Sequence, residues 1–393
     1  MTLTDTEFVM ASPSSLFSAA ASLPSSDGLA PDVAAPIAHT ATAIARLDQA
    51  LGNHPLRHAF LCRTRLETVR RLAAVDGHFI DPWHLAAVLE GAKLRVVGHT
   101  HRIAGRGAIF EAARYALVQY QWLVHPDFGQ EEAVRRAEAA LAAQLPQSPT
   151  LLAAAYGMHA WIDSNAEQAP MRAAIVRFWT RRHLLHVPVP LIGVAALQTD
   201  ISWAICDWIP AFLRAVAGEA ADGLDLLLTL ERAWRAARGS VAARRRDSHA
   251  AAVVDLLAAT PVLSATSLAS GLGIAIKNAI RLLNELCAEG IAIEVTHRLR
   301  RRLFGLNGLA PLHEAAVPPR STIPEWRNGR RRLEFVGATE ANRPSQLLPF
   351  LSTDKRSSLD YSDFEQAITQ LDARIGNTRQ LLEMMMERAD PER

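Results

Sequence analysis

In this chain of 393 residues, the side chains best suited to chemistry are scattered histidines, one amide–cation cluster and several arginine runs. His99-Thr100-His101 places two imidazoles on one face of a strand, and His54 and His58 are spaced for one face of a helix. Neither pair has a third ligand placed by spacing, so no metal and no other cofactor is expected. Gly105-Arg106-Gly107 lacks the strand–turn–helix context of a phosphate loop. The stretch LASGLGIAIKNAIRLLNELCAEG, from Leu268 to Gly290, carries more. Lys277, Asn278 and Arg281 lie close together in it, and asparagine and arginine are the residue types that read adenine and guanine in a DNA major groove. Arg298, Arg300, Arg301 and Arg302 follow, suited to phosphates, which add affinity without sequence information.

The elements around these residues are legible. An apolar-periodic helix is predicted from Ala251 to Ala259, after Asp247-Ser248 and ended by Pro261. Ser264 should cap a short helix through Ser270, Gly271 should permit a turn, and a third helix should run from Ile274 to about Glu289, with Gly290 just past its end. Its buried face should be Ala279, Leu282, Leu283 and Leu286, which leaves Lys277, Asn278 and Arg281 on another face. Ile291 to Val295 and Leu303 to Leu306 read as two strands joined by the basic tip. Three helices followed by a basic hairpin describe a winged helix-turn-helix over 247–308, whose third helix would enter the major groove. The same fold also serves protein contacts or dimerisation, which is the bland alternative.

Upstream, the chain reads as helix after helix from Ile37 to about Gly239, behind a Ser-, Pro- and Ala-rich leader at 1–36. Helices are predicted over Ile109–Leu123, Glu131–Leu145 and Thr150–Trp161, the last with Thr150 as N-cap. In Ile201–Val216, Trp203, Trp208 and Phe212 recur at helical spacing as a core stripe. Residues 309–358 form a proline-containing basic linker. Within it, Arg327, Arg330, Arg331 and Arg332 make either an arm reaching into a minor groove or a solvated linker. Residues 359–390 read as a C-terminal helix, in which Phe364, Ile368, Leu371, Ile375, Thr378, Leu382 and Met385 alternate four and three apart. Such a seam serves either homodimerisation or packing in cis. The fold class is therefore mainly α.

Charge distribution points the same way. The formal net charge is only +2, yet Arg232 to Arg332 holds 17 basic against 7 acidic residues, so the remainder of the chain is acidic. Only Lys93, Lys277 and Lys355 are lysines, and arginine suits bidentate phosphate and guanine contacts, although a GC-rich genome gives the same bias. Cys62, Cys206 and Cys287 are far apart, which fits a reducing cytoplasm. No Lys or Arg precedes Arg46, so no signal peptide is expected, and no apolar run of about 18 residues predicts a membrane span.

The run ARLDQALGNHPLRHAFLCRTRLE…AAVDGHFIDPWHLAAVLEGA, the later LLAAAYGMHAWID and the distal DYSDFEQAITQLDARIGNTRQLLE resemble a family found on plasmids of rhizobia and related soil bacteria. In that family an uncharacterised helical domain precedes a helix-turn-helix domain. The resemblance spans residues 37–388 and implies a double-stranded-DNA-binding protein, with no catalytic residues supplied. A fainter resemblance is to Fic-domain enzymes, which transfer AMP and carry the loop HPFxDGNGR. Here the place reads HAWIDSNAE, with His159, Asp163 and Asn165 at the matching spacings. Ser164 and Ala166 replace the glycines, Glu167 replaces the arginine, and a carboxylate repels a phosphate. Pro170 stands at the next arginine position. The expected function is sequence-specific DNA binding, as a transcriptional regulator of mobile-element genes. A Fic-like nucleotidyl-transfer enzyme, or a catalytically dead relative that binds a partner, is the alternative.

Overall fold

The computed structural model describes residues 31–90, 106–244, 248–295 and 302–309, with 373, 376 and 377. The architecture is mainly helical. Eight α-helices come first: α1 (Pro31–Leu51), α2 (Arg57–Val75), α3 (Pro82–Leu89), α4 (Arg106–Val124), α5 (Phe128–Ala142), α6 (Thr150–Asp163), α7 (Gln168–Arg181) and α8 (Ile205–Val241). Then follow α9 (Ala250–Ala259), β1 (Leu263–Ser264), α10 (Ala265–Leu272), α11 (Ile276–Ala288), β2 (Ala292–Glu294) and β3 (Leu303–Leu306).

The long α8 is the spine. It buries Trp208, Phe212, Val216, Ala220, Leu227, Leu230 and Trp234, a stripe recurring every three or four residues. α1 lies along it, with Ile44, Leu47 and Leu51 buried against the same core, and the fully buried Thr40 hydroxyl donates to the Leu213 carbonyl at 2.8 Å. α1 starts at Pro31, inside the stretch that composition assigns to a leader. Trp208 and Phe212 belong to the core as their spacing predicts, whereas Trp203 precedes the helix and is 39% exposed.

α5 opens with a full capping box: Asp127 accepts from the Gln130 amide while the Gln130 side chain accepts from the Asp127 amide. Arg177 of α7 then grips Glu131 of α5 with two bonds of 2.7 Å. The N-cap of α6 is Pro149, with Thr150 the first helical residue and no side-chain cap bond, which corrects the capping role expected of Thr150.

The segment after 247 continues the same hydrophobic core. Val253, Leu257, Leu268, Leu283, Leu286 and Phe304 share one buried cluster with Leu47, Phe60 and Trp208. The strands form an antiparallel sheet in the order β1-β3-β2, with Leu263 opposite Phe304 and Ile293 opposite Gly305. Val262, Val295 and Leu303 pack with Leu66, Leu85 and Leu117 of α2, α3 and α4. Among the described residues, no helix is long and apolar enough to cross a membrane.

Candidate nucleic-acid interface

The α10–α11 pair is positioned by local signals and by two long-range clamps. Ser264 is the N-cap of α10, its hydroxyl accepting from the Ser267 amide at 3.1 Å. The turn after α10 depends on Gly273, whose φ of 62° is left-handed, rather than on Gly271 as the sequence suggests. α11 then runs to Ala288, and Gly290 takes φ 70° just beyond it.

The clamps come from the preceding helices. Arg63 of α2 is buried and donates to the carbonyls of Ala258 (2.7 Å), Thr260 (2.8 Å) and Leu257 (3.0 Å), the open C-terminal end of α9. A cation there satisfies orphan carbonyls and matches the negative end of the helix dipole. Burial nevertheless pushes its pKa down to about 10. Glu90, just after α3, does the converse for α10: its carboxylate accepts from the Ser264 amide (3.0 Å) and the Ser267 hydroxyl (2.5 Å) at that helix's N-terminus. Trp234 of α8 adds an indole bond of 2.7 Å to Asp255 of α9.

What faces outward is α11. Ala279, Leu282, Leu283 and Leu286 are buried, the face read from the sequence. Lys277, Asn278, Arg281 and Asn284 are exposed, as are Ile276 at 51% and Ile280 at 42%. At 100° per residue, Lys277, Arg281 and Asn284 form the centre of the exposed face. Ile276, Ile280 and Cys287 line one flank, while Asn278, Glu285 and Glu289 line the other. Asn278 therefore shares its stripe with two acidic side chains, two and three turns further along. Asn284, Ile276 and Ile280 carry no charge to mark them in the sequence, although helical spacing alone puts them there. Half-burial raises the Cys287 thiol pKa, with Arg302 opposing and Glu294 adding to the shift.

The charge surplus is less available than the sequence implies. The described residues between Arg232 and Arg302 include seven basic and four acidic side chains, and most of the basic ones are matched. Arg235 pairs with Glu231, Arg238 with Asp255, and Arg244 with both Glu285 and Glu289. Arg281 reaches Glu285 at 3.3 Å, a weak exposed contact. Arg302 lies 2.7 Å from Glu294 and stacks over Phe304, so it braces the base of the hairpin. Lys277 makes no ion pair among the described residues. Arg298, Arg300 and Arg301 of the hairpin tip lie outside the described residues, as do Arg327, Arg330, Arg331 and Arg332. The heptad seam lies outside them too; of that helix only Ala373, Gly376 and Asn377 are described, and they are helical.

The other chemistry-bearing residues are occupied by structure. The His159 Nε2 sits 3.1 Å from the Trp203 carbonyl, and its ring stacks on Trp203 at 4.4 Å and meets Trp208 edge-on. Asp163 accepts from the Trp203 indole at 3.4 Å. Asn165 takes φ 54°, and the Glu167 carbonyl accepts from the Trp161 indole, closing the turn between α6 and α7. His54 accepts from the Leu56 amide and faces Glu231 at 3.5 Å. His99 and His101 lie outside the described residues, and no group of three potential metal ligands occurs among those described.

A cleft of about 630 Å³ opens between α2, α3 and α8, with Pro261 and Leu309 on one side. Its polar groups are largely engaged internally. Arg70 is held by Glu67, and Glu219 accepts the amides of Ile192, Gly193 and Val194 at 2.7–2.8 Å. Burial raises the Glu219 pKa, opposed by those three bonds and by Arg71.

The chain matches no known family model. It also matches none of the curated proteins.

Proposed function

We propose that this protein binds double-stranded DNA sequence-specifically through a winged helix-turn-helix. In this reading α9–β1–α10–α11–β2–β3 is the winged domain, α11 its recognition helix and the β2–β3 hairpin its wing. The observation that carries the reading is α11 itself. It is packed inward by four apolar side chains and held rigidly from behind, and it presents Lys277, Arg281 and Asn284 outward in its N-terminal and central turns. Recognition helices meet base edges from that part of the helix. Support also comes from the strand order β1-β3-β2, in which the hairpin's second strand pairs with the short strand before α10. The winged fold arranges its strands in that way. Lys277 and Arg281 read bases, Asn278 contributes from the flank, and the tip arginines Arg298, Arg300 and Arg301 supply phosphate contacts. Arg302 fixes the hairpin instead.

Action as a cytoplasmic transcriptional regulator, with self-association through 361–388 and an arm at 327–332, completes the proposal. The resemblance to the plasmid-borne family adds the mobile-element setting. The test is selection of full-length protein against a random duplex pool, followed by binding measurements at several salt concentrations. Enrichment of one motif, bound at least a thousandfold more tightly than scrambled duplex, is the expected result. Equal affinity for all sequences would overturn it.

A further inference from the structure

We infer that Ile276 and Ile280 read thymine methyl groups, making α11 specific for a site with thymines in the major groove. The inference rests on the DNA-binding reading above. Both side chains are large, apolar and exposed, at 51% and 42%, and they stand one helical turn apart. Among the described residues the large exposed hydrophobics are few, and these two alone share a helix face. Beside them the exposed face carries Lys277, Arg281 and Asn284. The isoleucines flank Lys277 and Arg281 within the first six residues of α11, the portion of a recognition helix that reaches base edges.

The thymine C5-methyl is the one apolar feature of the major-groove edge, and apolar side chains are its natural partners. The adjacent cations argue for DNA over a protein occupant. Lys277 and Arg281 lie beside the isoleucines on the exposed face, where a polyanion satisfies them and an apolar protein surface leaves them desolvated. The two sides of α11 then divide the work: cations and Asn284 select hydrogen-bonding edges, and the isoleucine flank selects methyl groups. A thymine stacked against Ile276 and a second against Ile280 set the spacing of the preference at one helical turn of protein, about 6 Å.

The experiment uses full-length protein and the duplex enriched by selection. Each thymine of the site is replaced in turn by deoxyuridine, which removes only the methyl group. Loss of one buried methyl is expected to weaken binding about fourfold at one or two positions, equivalent to about 0.8 kcal/mol. Ile276→Ala and Ile280→Ala should each abolish the deoxyuridine effect at one position while leaving the other preferences of the site intact. Both residues are exposed, so unchanged circular dichroism and unfolding midpoints are expected alongside. Specific binding that is indifferent to deoxyuridine at every position would overturn the inference while leaving the DNA-binding reading in place. A deoxyuridine effect unaltered in both alanine variants would also overturn it. If Ile280→Asp converts a sedimenting dimer to a monomer with no deoxyuridine sensitivity in the parent, the flank is a protein interface and the inference fails. Absence of any sequence preference would remove the inference and the DNA-binding reading together.

Discussion

Arg63, on the underside where α2 packs against the end of α9, and Lys277, on the exposed face of α11, are cations that the structure treats differently. Arg63 lies beneath, buried, its guanidinium divided among three carbonyls at the end of α9. Lys277 lies on top, exposed and without an ion pair among the described residues. The underside is a set of satisfied polar contacts in low dielectric, where each group costs free energy if its partner is lost. The upper side is an exposed face on which Arg281 has only a weak contact to Glu285 and Lys277 has no ion pair among the described residues. A buried charge therefore belongs to the architecture, whereas an unmatched exposed one is free to meet solvent or a ligand. The arginines at 235, 238 and 244 fall between these poles, since acidic neighbours claim them.

The largest expected effect tests the underside. Arg63→Ala should lower stability by about 3–4 kcal/mol, because three carbonyls and the end of a helix dipole lose a charge-assisted partner in a buried site. Denaturant unfolding of the variant measures this, and Lys277→Ala should leave the midpoint unchanged. If the two variants unfold alike, the contrast between the faces does not exist.

The upper face should respond in the opposite assay. Lys277→Ala and Arg281→Ala should each weaken binding to the selected duplex by about 1–3 kcal/mol, with no change in unfolding midpoint. Arg281 should show the smaller loss, since Glu285 competes for it at 3.3 Å. Titration by fluorescence anisotropy checks both. Equal affinities for parent and variants would move the interface away from α11.

Glu90 tests how far the clamp extends. Its carboxylate stands in for an anion at the N-terminus of α10, bonded to Ser264 and Ser267. Glu90→Ala should cost about 1 kcal/mol, the size of a lost helix cap, because the Ser264 hydroxyl still caps the Ser267 amide. A loss as large as that of Arg63→Ala would mean that the two clamps act as one unit.

The upper face was largely readable in the sequence and the underside was not. Ala279, Leu282, Leu283 and Leu286 recur at helical period, and Ser264 and Gly290 are strong local start and stop signals, so α10 and α11 emerge from short-range pattern. Gly273 was confused with Gly271 because both glycines permit a left-handed turn, and only tertiary geometry chooses between them. The Arg63 clamp spans about 195 residues of sequence and leaves no periodic trace. The aromatic spacing marks a helical stretch only over Ile201–Val216, whereas α8 continues to Val241 through Gly218, Gly223 and Gly239, residues of low helix propensity. Tertiary packing overrides them. A Cβ on Gly223 would lie 3.4 Å from Leu47 and Phe60, in van der Waals contact, so α1 and α2 pack directly on the spine there. The charge surplus misled by being counted without its partners: sequence shows the number of arginines, whereas only the fold shows which are already paired.

The smallest effect lies away from both faces and calibrates them. Glu131 of α5 and Arg177 of α7 form a bidentate pair at the surface, with Glu131 about a third exposed. The Arg177 hydrogen bonds hold the Glu131 carboxyl below the ordinary glutamate range, with burial opposing. Because the folded-state pKa is lowered, the pair's contribution is fully present above the unfolded-state value and fades as pH falls through the lowered one. Solvent screening limits it to at most about 1 kcal/mol at neutral pH. Glu131→Gln should lose that increment at pH 7 and lie close to the parent at the acid end, so the two stability curves converge as pH falls. Urea midpoints between pH 3 and pH 7 measure the convergence. The Arg63 clamp should show no such trend over the same range, because Arg63 stays protonated there with its pKa at about 10 and its partners are uncharged carbonyls. A parallel loss of stability in parent and Glu131→Gln across that range would place acid sensitivity in other carboxylates, and a Glu131→Gln cost matching that of Arg63→Ala would erase the distinction between screened and buried cations on which the comparison depends.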